Sequence, residues 1–130
     1  MLRIVRAMPN TPASIQQGCV VWYPTEKVEQ DQIDMCASVF DAVGDHIMVK
    51  DEGYLDMSTA IAGSGPYYLF LTMETMVDAG VHLGLPREMA ERLVKQTLYG
   101  SCLYAMSSDK AISALRNGED MLVSECPSSQ

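Results

Sequence analysis

A chain of 130 residues with 48% hydrophobic and 20% charged side chains suits one compact domain, or pieces of two, and is too apolar to stay disordered. Seventeen acidic residues against nine basic ones leave a net charge of −8 with no basic run. That excludes the Lys and Arg clusters of a nucleic-acid binder and the polybasic stretch of a membrane anchor.

No apolar stretch approaches the ~18 residues of a membrane span, and no apolar signal core follows Arg3 and Arg6. The expectation is a protein that is not secreted, with neither nucleic acid nor membrane among its partners. Its compartment is the cytoplasm, or a plastid or mitochondrion if a targeting segment precedes this chain.

Leu2 to Ala7 is rich in Ile and Val and predicts a short strand, ending at the loop Met8-Pro9-Asn10-Thr11-Pro12. Cys19-Val20-Val21-Trp22-Tyr23 predicts a second strand, closed by Pro24. In the acidic stretch that follows, Ile33, Cys36, Phe40 and Val43 recur at helical spacing, with Gly44 where a C-cap belongs. His46 to Val49 predicts a third strand. From there the pattern is helical: Tyr54 to Ala62, then a helix opened by Pro66 with Ser64 or Gly65 near its cap and running to His82. Gly84 stops it, Leu85-Pro86-Arg87 opens another to about Met106, and Lys110 to Arg116 is a last short helix. Residues 117–130 show no clear period. The change of character near Lys50 predicts the end of an α/β domain joined to a helical one.

Cys19, Cys36, Cys102 and Cys126 stand far apart, form no CxxC pair, and share the chain with only His46 and His82. That spacing points to reduced, mostly buried thiols and to no metal site.

Three segments carry a family resemblance: Arg6-Ala7-Met8-Pro9-Asn10-Thr11-Pro12 followed by Gly18; Asp56 with Ala60-Ile61-Ala62-Gly63-Ser64-Gly65-Pro66-Tyr67-Tyr68; and Asp78-Ala79-Gly80-Val81-His82-Leu83-Gly84-Leu85-Pro86-Arg87 with Gln96-Thr97 and Gly100 downstream. In this order and spacing they resemble pyrroline-5-carboxylate reductase, which makes L-proline from a cyclic imine with NADPH or NADH, the last step of proline biosynthesis. The resemblance implies an α+β fragment. Residues 1–50 would be the last strands and a helix of a Rossmann-type domain. Residues 51–116 would be a mainly α-helical dimerisation domain, like the C-terminal domain of 6-phosphogluconate dehydrogenase. Residues 117–130 are a divergent tail.

Two departures bear on activity. The family's glycine-rich phosphate turn is absent from these residues, and Gly63-Ser64-Gly65 does not have its spacing. After Leu115-Arg116, where the family carries a Ser-Pro-Gly-Gly-Thr-Thr stretch, this chain reads Asn117-Gly118-Glu119-Asp120-Met121. The expectation is therefore that the chain alone binds no NADPH or NADH.

The resemblance points to Ser64, Gly65 and Pro66 as contacts for the substrate carboxylate, with Glu52 nearby, and to Met8, Pro9 and Asn10 as a wall beside the nicotinamide. No residue is assigned as a catalytic acid, and His82 receives no role. Each position also has a plainer reading. Ser64 would cap a tight turn, the Met8 to Pro12 loop would be stiffened by two prolines, and Glu52 would be a solvated carboxylate at a helix start. Spacing alone favours these; the family resemblance favours the ligand roles. Gly80, Gly84, Gly100 and Ser101 read as small residues that let helices approach or end, and Met73, Met76, Met89 and Met106 as core or interface filler.

Two functions stand open. One is a piece of a working reductase; the other is a non-catalytic dimerisation module pairing with itself or with a full-length reductase. A related two-domain dehydrogenase acting on hydroxy acids, or a reductase-like protein in another role, is a third and weaker reading.

Overall fold

The computed structural model describes residues 2–123, with the backbone alone for 119–123. The chain divides into two compact units, one reaching to Thr72 and the other beginning at Met73.

In the first unit, strands β1 (Val5–Met8), β2 (Gly18–Pro24) and β3 (Gly44–Met48) form one sheet in the order β1-β2-β3. β2 is central, and its successive residues Val20, Val21 and Trp22 are all buried. Burial of consecutive residues means that both faces of the strand are covered, as in sheets of layered α/β folds. Helix α1 (Gln30–Asp41) packs along β3, and Phe40 brings its ring to 5.3 Å from that of Trp22. Helix α2 (Gly53–Ser58) packs on β2 and buries Leu55.

β2 and β3 are parallel, but β1 and β2 are antiparallel, with Ala7 opposite Trp22 and Met8 opposite Val21. The sheet is thus mixed, with its first pair antiparallel. The reason is the connection. Only a 3-10 turn, Thr11–Ile15, separates the two strands, and a parallel crossover needs a dozen residues or more.

α1 carries Ile33, Cys36 and Phe40 of the predicted stripe, all half-buried, and Val43, also half-buried, lies just past its end. Its start is a reciprocal capping box in which Gln32 accepts from the Glu29 amide at 3.2 Å. Gly44 is not its C-cap; Ala42 is. Gly44 opens β3 with φ +145°, and a side chain there would collide with the Gly18 backbone, so the glycine serves close strand approach instead.

The expected single helix from Tyr54 to Ala62 is also corrected. α2 ends at Ser58, and Thr59–Gly63 widens into a π segment that leads into α3 (Gly65–His82). Pro66 supplies the cause. It has no N–H for the Ala62 carbonyl four residues earlier, and its ring would clash with that carbonyl in a regular α-turn.

In the second unit, the end of α3 and helix α4 (Arg87–Ser107) share a small core. Val77, Ala90 and Val94 are buried, with Met73, Val81, Leu85 and Leu98 packed around them. Gly80 permits this approach: a Cβ on it would stand 3.2 Å from that of Ala90. Gly100 faces open space, so close packing over it is not seen among the described residues. Gly84 ends the turn after α3 with φ +102°. Helix α5 (Ile112–Val123) runs past the expected stop at Arg116. In the sequence Ile112, Leu115 and Leu122 keep helical spacing through Asn117 and Gly118, and that periodicity overrides two weak helix formers. Residues 124–130 of the expected tail lie outside the described residues.

Candidate functional site

β1 carries the site. Because alternate residues of a strand share a face, Arg6 and Met8 point the same way, toward the face on which α2 packs. Arg6 forms an ion pair with Glu52 at the start of α2. Met8 reaches the far end of the helical run, where a Cβ on Gly63 would lie 3.2 Å from its Sδ. One strand thus touches both ends of the segment from Glu52 to Gly63.

Beyond Met8 the chain turns through Pro9 and Asn10 into the 3-10 turn, with Pro12 in its first positions. Asn10 sits where an N-cap belongs but makes no capping hydrogen bond. Its carboxamide is used elsewhere: Nδ2 donates to the Ala62 carbonyl at 3.1 Å, and Oδ1 accepts from the Cys19 amide at 2.8 Å. The loop Met8-Pro9-Asn10 and the segment leading into Ser64-Gly65-Pro66 are therefore directly joined. Sequence reasoning singled out both segments but missed the Ala62 carbonyl and the Cys19 amide that connect them. A signal for the first was available, since Pro66 lies four residues beyond Ala62 and cannot donate to it.

Ser64, Gly65 and Pro66 are all partly buried. Ser64 is not a cap at a fresh helix start. It has helical φ and ψ, and its amide donates to the Thr59 carbonyl at 2.8 Å within the π segment. That removes one of the amides an anion would use. Gly65 has open space where a Cβ would stand, which leaves its backbone approachable.

Glu52 is exposed and committed to Arg6; among the described residues no hydrogen bond joins it to Ser64, Gly65 or Pro66. The hydrogen bond from Arg6 to Glu52, and then the charge of that carboxylate, raise the guanidinium pKa above its ordinary value. With the folded value raised, this contribution is present at neutral pH and is lost as pH rises through strong alkali. Glu52 also borders an open depression of about 560 Å³ lined by Leu2, Ile4, Tyr23 and Lys27.

The expectation of mostly buried thiols is corrected at α4: Cys19 and Cys36 are half-buried, but Cys102 is exposed. Cys126 lies outside the described residues. Among those residues no cluster of His, Cys, Asp and Glu could hold a metal ion, and no helix is long and apolar enough to cross a membrane. Of the methionines, Met73 joins the core of the second unit, whereas Met76, Met89 and Met106 are exposed.

A family model described as pyrroline-5-carboxylate reductase dimerisation matches residues 52–119. The pyrroline-5-carboxylate reductase of Pseudomonas aeruginosa is 43% identical over 113 residues, which are 87% of this chain and 41% of that protein. A solved pyrroline-5-carboxylate reductase from Coxiella burnetii superposes with a TM-score of 0.84 at 41% identity, covering 88% of this chain and 43% of its own. The Plasmodium falciparum enzyme, solved with NADP bound, has a TM-score of 0.84 at 34% identity, covering 89% of this chain and 46% of its own. The chain spans about two fifths of the length of the curated relatives it matches. Its three-stranded sheet followed by helices, its ordered motifs and these matches agree, and the chain belongs to the pyrroline-5-carboxylate reductase family.

Proposed function

We propose that this chain supplies part of the active site of a pyrroline-5-carboxylate reductase, in which NAD(P)H reduces the cyclic imine 1-pyrroline-5-carboxylate to L-proline. The observation that carries this reading is the direct bond between the Met8-Pro9-Asn10 loop and the carbonyl that precedes Gly63-Ser64-Gly65-Pro66. The loop follows the C-terminal end of β1 and is tied by Asn10 to the Cys19 amide at the start of β2.

In this proposal Met8, Pro9 and Asn10 form a wall beside the nicotinamide, and Ser64, Gly65 and Pro66 receive the substrate carboxylate. Glu52 is assigned to the substrate side by the family resemblance, and its carboxylate is engaged by Arg6. Met8, Pro9 and Asn10 would hold the nicotinamide end of such a cofactor, which would supply hydride for the imine carbon, with a proton required at the ring nitrogen. The residues present fit that end of a dinucleotide, with a thioether and a proline ring as apolar surface and an approachable glycine in the segment joined to them. They include no glycine-rich turn for a pyrophosphate. The role of these residues is to orient the reactants rather than to exchange a proton.

The test is the protein isolated from its own cells, weighed intact and assayed for pyrroline-5-carboxylate-dependent oxidation of NADPH and NADH. Turnover by a species that contains these peptides is expected, with Ser64→Val raising KM for the imine. Absence of turnover from every such species would sink the reading.

A second reading, a self-associating module without catalysis, is favoured by one feature of α3. Tyr67, Tyr68, Leu69, Phe70 and Leu71 are consecutive and all exposed, each between 49% and 67%. Five neighbouring residues circle a helix completely, and a helix that is apolar all round belongs inside a larger assembly. A 14.3 kDa native species that self-associates and turns over no imine would favour this reading.

A further inference from the structure

The side chain of Asn10 solves a problem that Pro66 creates. In a regular helix the Ala62 carbonyl would accept from the amide of residue 66, and proline has none. Asn10 Nδ2 takes the place of that donor at 3.1 Å. Its other end is equally constrained, because the Cys19 amide can only donate and therefore sets Oδ1 toward itself at 2.8 Å. Asn10 is partly buried, and it forgoes the local capping bond that its position offers. Nearby, Gly63 brings the backbone close to Met8, so the two segments meet both by hydrogen bond and by contact.

We infer that Asn10 is a positioning residue that replaces the N–H missing at Pro66 and so holds the Gly63–Pro66 segment in register with Met8 and Pro9. Asn10 and Pro66 then act as one device: the proline leaves a carbonyl without its helical partner, and the asparagine, on another segment, captures it. The inference rests on the proposed reductase reading only for what the two segments bind; the strut itself is independent of it.

The test is a double-mutant cycle in the full chain, with Asn10→Asp, Pro66→Ala and the pair measured by equilibrium denaturation. The aspartate of Asn10→Asp keeps an oxygen for the Cys19 amide but turns a second oxygen on the Ala62 carbonyl. The single change is expected to lower the folding equilibrium constant about tenfold. Pro66→Ala supplies an internal donor to the same carbonyl, so the pair is expected to recover at least half of that loss. Strictly additive losses overturn the proposal. Should Asn10→Asp not fold, the 1H–15N spectrum of Pro66→Ala decides. A shift of the Asn10 side-chain NH2 signals supports the strut, and unchanged signals overturn it.

In the imine-reduction assay of the active native species that contains these peptides, Asn10→Asp is expected to raise KM for the imine and lower kcat, and Pro66→Ala to restore both in part, which a purely structural role would not produce. Unchanged kcat and KM in an active Asn10→Asp protein overturn the positioning role. No imine reduction by any native species that contains these peptides sinks the functional reading, and the stability cycle then decides the strut alone.

Discussion

Trp22 is the largest fully buried side chain of the first unit, and its indole N–H donates to His46 Nδ1 at 3.2 Å. That bond makes Nδ1 an acceptor, so the ring proton sits on Nε2, which lies 3.3 Å from Asp41. The tilted rings of Trp22, Phe40 and His46 complete the cluster. Replacing His46 with Leu keeps apolar volume but leaves a buried donor unpaired, which costs about 1–3 kcal/mol. Denaturation followed by Trp22 fluorescence measures it, and a loss below about 0.5 kcal/mol would mean the indole has found another partner. Gly44→Ala is expected to be worse. Its φ of +145° is strained for any side chain, at about 1–3 kcal/mol, and the new Cβ would collide with the Gly18 backbone as well. A folded Gly44→Ala chain with wild-type stability would show that the β2–β3 register is softer than this geometry requires.

At the scale of elements, the π segment Thr59–Gly63 is where local preference and tertiary contact meet. Gly63→Ala separates the two. Helix propensity favours alanine by about 0.5–1 kcal/mol, while the added Cβ presses on Met8 Sδ and Thr59 Cγ2, each at 3.2 Å. A thioether can give by a few tenths of an ångström, so the stability change is expected to stay within about 1 kcal/mol of zero. Met8 nonetheless moves, and its methyl signal in a 1H–13C spectrum is expected to shift. A loss above about 2 kcal/mol would show that the contact is rigid and that the segment tolerates no displacement. The strands and most helices were legible from β-branched runs, from the Ile33 to Val43 stripe and from proline and glycine punctuation. The π segment was not, because its cause is a relation between Pro66 and a carbonyl four residues back, answered from a loop more than fifty residues earlier.

At the scale of the whole molecule, the described residues bury few large side chains and expose many. Each unit has a small core, Val20, Val21, Trp22 and Leu55 in one and Val77, Ala90 and Val94 in the other. So little burial is poor compensation for the entropy of ordering the chain. The isolated chain is therefore expected to self-associate, with sedimentation giving a dimer or larger and Phe70→Asp weakening it. A stable monomer at high concentration would overturn this expectation. Calorimetry with NADPH on the isolated chain is expected to give no measurable heat of binding, since the chain holds no pyrophosphate turn; micromolar binding would locate the phosphate cradle elsewhere in these residues.

What the sequence by itself determined is what depends on neighbours along the chain: strand runs, helix stripes, the stop at Gly84, the acidic charge balance, and motifs ordered specifically enough to name a family. The candidate segments Met8 to Asn10 and Ser64 to Pro66 were visible in the same way, each as a composition that invites a ligand or a turn. Only the tertiary structure decided that β1 runs against β2, that Gly44 serves strand packing rather than helix capping, that Glu52 is held by Arg6, and that Asn10 bonds the two segments together. The reason is physical. Propensity and periodicity act over a few residues, whereas a hydrogen bond or a close contact is settled by which backbone groups remain unpaired once the chain has folded back on itself.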